Sequence, residues 1–430
     1  MDKLESGKVI NTTLGSPITI EKYLASGGQG DIYIVEYGGN KKALKWYKPK
    51  ALRDPNAFYE HLKRNADKGP PDKAFLWPDA VTEKINGSFG YIIDLRPDGY
   101  YELSKILASD KYRFSSFKAA IDACIWITNA FGKLHADGYC YADMNDGHFF
   151  INPKTGEVLI CDNDYVVPNG TRVSILQPPC YSAPEIVISE GQRPPDRQSE
   201  RYALSVLIFL ILFGGHPLEG KQWVVPCLDV AKTKDLYGNN PVFIFDPNND
   251  SNRPVNNIHV NTIHRWNVMP NFVKDMCIRA FSNQSLLEPN KRPRELDWLK
   301  VLVRLRNSIV RCSCGSEVFV EGIGSYKCDC CEKTIDIKNE LILPMYSTAA
   351  SKGTRVYRCQ LGVCNIEDAL APVLLVVAKA DGTLGVKNMT PNPLKAFTPS
   401  RKEKVIEPGM VVSFISDISI VAYDKTISLT

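Results

Sequence analysis

Two acidic residues carry the chemistry that this sequence suggests. Asp143 lies in the polar stretch YADMND, and Asp162 ends the run VLICD, with Asn163 and Asp164 directly after it. Between them come an apolar run, a turn from Pro153 to Gly156 and a second apolar run. Two short strands joined in this way would present their carboxylates together. Such a pair suits a magnesium nucleotide: one carboxylate accepts a hydroxyl proton while the other holds the cation that bridges the phosphates. A surface β-hairpin with acidic ends has the same pattern, so the assignment depends on phosphate-binding groups elsewhere in the chain.

Those groups stand upstream. The segment ASGGQGDIY sets Gly27, Gly28 and Gly30 between two apolar stretches, and glycine lets backbone amides approach a phosphate closely. A plain hairpin turn uses the same residues. Lys45 follows in ALKW, one cation in an alternating apolar strand, where a solvated lysine is the ordinary reading. In order and spacing, the glycine cluster, the strand lysine, Asp143, Asp162 and the later Ala183, Pro184 and Glu185 resemble the eukaryotic-like serine/threonine protein kinases of bacteria. The resemblance covers roughly residues 15–305.

It implies a bilobal α+β kinase fold, ATP with magnesium or manganese as cofactors, and a protein substrate. Asp143 would be the catalytic aspartate, Lys45 and the glycine loop would hold phosphates, and Asp162 would bind metal. Glu60, in the helical stretch NAFYEHLKR, is the candidate partner of Lys45. Asp94 and Leu95, at the end of GYIIDLR, would offer backbone groups to an adenine edge. Glu200 stands where kinases carry an aspartate that anchors the catalytic loop, and Arg292 matches the arginine that pairs with the glutamate at 185.

The departures matter as much. The usual histidine and arginine before the base are Tyr141 and Ala142, the lysine after it is Asn145, and the metal-binding asparagine is His148. The DFG triplet reads Asp162, Asn163, Asp164. In an extended segment Asp164 would point the same way as Asp162 and restore an oxygen ligand that His148 cannot offer. The missing lysine normally steadies the transferred phosphoryl group, so a pseudokinase scaffold stands as the alternative to an active enzyme. Kinases with such variants resemble those of bacterial stress modules, which implies a cognate protein phosphatase as a second partner.

The positioning elements are legible from periodicity. Residues 18–46 alternate as three strands, 56–64 and 117–135 have helical spacing, and the latter runs into the catalytic loop. The segment from Asp162 to Glu185 is short and holds Thr171 and Ser174. Residues 223–268, rich in Asn, Pro and Asp, read as loops and short helices, and amphipathic helices return at 270–281 and 293–309. A kinase-like domain over 1–305 is therefore expected, with a small lobe to about residue 96 and a large lobe from 97.

Past Val310 the composition changes. Cys312 and Cys314, then Cys328, Cys330 and Cys331, resemble a zinc ribbon over 306–343. Cys312, Cys314, Cys328 and Cys331 are the expected ligands of a structural zinc, with Cys330 a rival to either neighbour. Short alternating runs from 344 to 430 read as a small β-sandwich or barrel. Its ending resembles a degenerate forkhead-associated domain, without a clear match to the phosphothreonine-binding residues.

Composition bounds the rest. The chain has 430 residues, 44% hydrophobic and 23% charged, enough for two or three domains with cores. A formal charge of +4 is too balanced to advertise nucleic acid or an anionic membrane as a partner. The N-terminus lacks an apolar signal core, and six cysteines scattered through the kinase-like region suit a reducing compartment. A cytoplasmic protein is expected.

Overall fold

The computed structural model describes residues 3–173, 177–362, 364–379, 382–415 and 417–430. Ser174 lies outside the described residues. The chain forms two compact units, one built from 1–113, 134–153 and 157–203, the other from 114–133, 154–156 and 204–430.

The first unit starts with an antiparallel sheet. Its strands are β1 (Val9–Asn11), β2 (Pro17–Ser26), β3 (Gly30–Tyr37), β4 (Asn40–Tyr47), β5 (Ala80–Val81) and β6 (Gly90–Asp94), in spatial order β1-β2-β3-β4-β6-β5. Alternation in β4 divides its side chains between two cores. Leu44 and Trp46 pack with Ile18, Ile20, Tyr33 and Val35 on one face. Tyr47 packs on the other with Tyr91, Phe89 and the helix α1 (Pro55–Lys68), which contributes Tyr59 and Leu62. Lys45, sharing the face of Tyr47, therefore points toward the α1 side.

Helix α1 is well specified at both ends. Asp54 accepts hydrogen bonds from the amides of Asn56 and Ala57, with Pro55 in the first turn, and Gly69 at φ +79° ends it. Two further pieces complete this unit. The hairpin of Phe149–Ile151 and Val158–Ile160 pairs Phe149 with Ile160, and the amide of Cys161 donates to His148 at 2.9 Å. Tyr139–Cys140 pairs with Val167–Pro168. The hairpin thus has its acidic residues at one end, as the alternation of polar and apolar runs suggests.

In the second unit an aromatic cluster of Phe209, Phe243, Trp266 and Phe281 fills the space between helices, and the Trp298 indole donates to Ser205 at 3.1 Å. Two small hairpins follow, Ile309–Arg311 with Glu317–Phe319 and Gly324–Lys327 with Thr334–Ile337. Residues beyond 340 form a six-stranded and a four-stranded sheet around one apolar core that includes Leu341, Val376, Ile420 and Leu429.

These late segments are fastened to the helices of their unit. Glu317 accepts hydrogen bonds from the Phe117 and Lys118 amides at 2.6 and 3.2 Å, capping the helix Phe117–Ala136. The Asn307 side chain donates to the Arg355 carbonyl at 2.7 Å and accepts from its amide at 3.2 Å. The Arg304 guanidinium lies 4.1 and 4.6 Å from the ring centres of Phe272 and Tyr346. Arg292 is buried and donates to the Ser285 and Leu286 carbonyls. Among the described residues no helix is long and apolar enough to cross a membrane.

Candidate active site

Lys45 is held by its strand neighbours before any acid reaches it. A Cβ on Gly30 would come within 2.5 Å of the Trp46 carbonyl, and one on Gly90 within 2.5 Å of the Lys45 carbonyl. Both flanking strands therefore close on β4 at this point, and only glycine permits it. Tyr91, directly across from Lys45, and Tyr47, two residues on, place their ring centres 6.0 and 5.5 Å from its Nζ.

Two carboxylates then converge on the ammonium. Nζ donates to Asp162 Oδ1 at 2.9 Å and to Asp164 Oδ2 at 2.7 Å. Burial pulls the lysine pKa down, but the charge of Asp164, followed by Tyr91 and Asp162, overcomes it and holds the group well above its ordinary value. The protonated form of Lys45 is therefore favoured.

The two acids differ in environment. Asp164 is fully buried, its Oδ2 also receives the Tyr47 hydroxyl, and its Oδ1 has no hydrogen-bond partner. The Asp162 side chain is 42% exposed, and its backbone takes a left-handed φ of +50°. Burial raises the pKa of Asp162, and Lys45 and His148 more than reverse the effect, leaving it below the usual value. The turn between them is pinned by Asn163, whose amide donates to the carbonyls of Leu76 and Ile160 at 2.7 and 2.9 Å.

Glu60 is not brought to Lys45. Its carboxylate is exposed and pairs with Lys63 at 3.3 Å, one turn along α1. The helix meets the acidic turn through other residues: His61 Nε2 lies 3.1 Å from the Asp164 carbonyl, and Asn65 donates to the Val166 carbonyl at 3.1 Å. Tyr47 and His61 are the residues that sequence reasoning missed. Tyr47 had a signal in its spacing from Lys45, since residues two apart share a strand face.

The catalytic loop is braced from below. Glu200 accepts from the Ala142 amide at 2.6 Å and lies 2.8 Å from His135 Nε2, both partners being buried. Ala142 takes a left-handed φ of +67°. The Asp143 carboxyl is partly exposed. Burial raises its pKa, with His148 opposing. His148 Nδ1 lies 2.9 Å from the Asp143 carbonyl, and its Nε2 is 3.4 Å from Asp162 Oδ2. The Asn145 side-chain nitrogen lies 3.1 Å from the same Nδ1, so the imidazole sits among the loop's own polar groups and beside the Asp162 carboxylate. A carboxylate oxygen and an imidazole nitrogen so placed are donor types that a divalent cation takes.

The remaining positions are less committed. Gly27 donates its amide to Gly30 at 2.8 Å, a Cβ at Gly28 would meet open space, and Gln29 donates to the Tyr165 hydroxyl at 2.7 Å. Gly30 therefore serves the sheet. The Asp94 carboxylate pairs with Lys42, and Leu95 follows the end of β6.

Strand lysine, acidic turn and braced loop stand together in the first unit. The fold is that of protein kinases. No family model matches the chain. It is 24% identical over 322 residues to protein kinase YegI of Escherichia coli K12, covering 70% of this chain and 46% of that protein. The protein of the same name from strain O157:H7 matches at 24% over 323 residues, so the chain spans about half the length of the curated relatives it matches. The solved kinase domain of Mycobacterium tuberculosis PknI aligns with TM-scores of 0.47 for a double mutant and 0.45 for the unmutated domain, at 15% and 16% identity. Both alignments cover 70% of this chain and 98% of the domain.

Away from the kinase elements, the sulfurs of Cys312, Cys314, Cys328 and Cys331 lie within 4.8 Å of one another. The Cys312–Cys331 and Cys314–Cys328 separations are 3.5 and 3.6 Å. Four thiolates about 2.3 Å from a tetrahedral zinc stand about 3.8 Å apart, so the donor set fits that ion. Cys330 is exposed and outside the cluster, which leaves Cys331 as the fourth member. The Ser316 amide draws the Cys314 thiol down to about 6, toward the thiolate form that binds metals.

The brace at Glu200 has a measurable consequence. Replacing it with alanine leaves a buried amide and imidazole without their acceptor, a loss of about 1–3 kcal/mol for each unsatisfied group. Glu200→Ala is expected to lower the melting temperature, and Glu200→Gln, which keeps the amide's acceptor, to lower it less. Equal melting of the two variants would show that the amide bond contributes nothing.

Proposed function

We propose that the chain is an ATP-dependent protein kinase transferring the γ-phosphoryl group to serine or threonine of a protein partner. The observation that carries this reading is the convergence of Lys45 on Asp162, with Asp143 linked to the same site through His148. Lys45 and the amides from Gly27 to Gly30 would hold phosphates, and the Asp94 and Leu95 backbone would face adenine. Asp162, His148 and Asp164 would hold a magnesium or manganese ion, which neutralises charge developing on the transferred group. Asp143 orients the acceptor hydroxyl and takes its proton, a role helped by the upward shift of its pKa. Glu60 has no part in this scheme.

The setting proposed is a cytoplasmic bacterial signalling or stress module, with a cognate phosphatase to reverse the modification. The zinc ribbon would be structural and the β-sandwich, similar to a forkhead-associated domain, would dock partners. One observation favours the second reading, a pseudokinase scaffold. Asn145, in place of the phosphoryl-steadying lysine, is engaged within its own loop, donating to the Asp143 carbonyl at 3.2 Å and accepting from the Gly147 amide at 3.0 Å.

Transfer from radiolabelled ATP decides between them. Wild type is expected to phosphorylate itself or a protein substrate, and Asp143→Ala to lose about 100-fold or more of that rate. Label that binds without transfer in both proteins would establish the scaffold. A second prediction concerns the metal. Because imidazole suits manganese better than magnesium, wild type should work better with manganese, and His148→Asn should move the preference toward magnesium. Identical metal dependence in the two proteins would remove His148 from the site. A third concerns the ribbon: purified protein should carry one zinc, and its removal should loosen residues 311–340 first. Structural zinc supplies on the order of 10 kcal/mol, more than so short a segment gains by packing. A zinc-free preparation in which this segment resists proteolysis would refute it.

A further inference from the structure

The phosphate-binding lysine of a kinase needs an acidic partner to point it at the nucleotide, and that partner ordinarily stands on a mobile helix, so that helix position governs assembly. Helix α1 offers no such acid here, since Glu60 is exposed and paired with Lys63. Its polar residues on the inner side, His61 and Asn65, contact main-chain carbonyls of the segment Asp164–Val166 instead. The Asp164 carboxylate occupies the vacant role. It is completely buried, reaches Lys45 at 2.7 Å, and is steadied by the Tyr47 hydroxyl on the same oxygen. Removing either partner would leave the other buried and uncompensated, so neither group readily leaves the pair.

We infer that Asp164, not a glutamate of helix α1, is the positioning residue of Lys45. The lysine's anchor and the metal-binding Asp162 then belong to one three-residue turn. Whatever sets the turn sets both, and a swing of α1 does not by itself detach the lysine. This inference rests on the nucleotide-binding reading only for its functional consequence; the pairing itself stands apart from catalysis.

A double-mutant cycle tests it, read as binding of a fluorescent ATP analogue without metal and again with manganese. In the metal-free arm Asp164→Asn and Lys45→Met should each weaken binding about fivefold or more, and the double variant should bind no worse than Lys45→Met alone. Glu60→Gln should stay within about twofold of wild type. Additive losses, or a loss in Glu60→Gln that vanishes in the Lys45→Met background, would overturn the inference. An effect of Asp164→Asn seen only with manganese would overturn it too, marking Asp164 as a metal ligand alone. Should Asp164→Asn not fold, Tyr47→Phe loosens the same carboxylate and replaces it in the cycle. If wild type binds no nucleotide, the proposed function fails and thermal melting of the same variants decides the pairing: non-additive shifts for Lys45 with Asp164 sustain it, and additive shifts refute it.

Discussion

A cation in a nearly closed space governs this structure. Lys45 sits between two tyrosine rings on a strand squeezed by glycines from both sides, and burial alone would lower its pKa. Two carboxylates prevent that, and in doing so they fix the acidic turn against the sheet. The geometry of the turn follows: Asn163 must point inward to tie the main chain, and Asp162 must adopt a left-handed backbone to bring its own carboxylate round. From there the ladder to the hairpin places His148, and His148 touches Asp143. Remove the charge balance at the lysine and each later step loses its reference point.

Much of this could be read from the chain. The alternation of β2 to β4, the hairpin between the two acids and the helix leading into the loop all follow from periodicity, because one-sided burial leaves that pattern in any sequence. Glu200 stands where the resemblance to kinases expects an acid beneath the loop, and its carboxylate meets the Ala142 amide there. Which acid meets Lys45 was harder. The expectation falls on Glu60, and whether that residue arrives depends on how α1 is rotated against the sheet. That rotation has its own trace: Tyr59 and Leu62 define the buried side, and Glu60 stands about 100° from Tyr59 and about 200° from Leu62 around the helix. His61 and Asn65, four residues apart, share the flank that reaches the turn.

The cysteine cluster shows a different limit. Spacing alone left Cys330 and Cys331 as rivals, because adjacent residues in a tight turn are equally near in sequence. The structure separates them by exposure: Cys331 enters the group of four while Cys330 faces solvent. The β-rich end was legible as a class of fold from its short alternating runs, but its sheet order was not, since pairing across long loops leaves no local mark.

The double hydrogen bond between the Asn307 side chain and the Arg355 backbone imitates one rung of a β-ladder, with a side-chain amide standing in for a peptide group. It joins the last residue of a helix to an edge strand of the four-stranded sheet. Together with Arg304, stacked near both Phe272 and Tyr346, it makes the sandwich part of the helical core's own folding problem. The place where the kinase-like part of the chain ends is thus not where its packing ends. A fragment cut after that helix would leave an amide, a guanidinium and an aromatic face without the neighbours against which they are ordered, and would expose as new surface what the whole chain treats as interior.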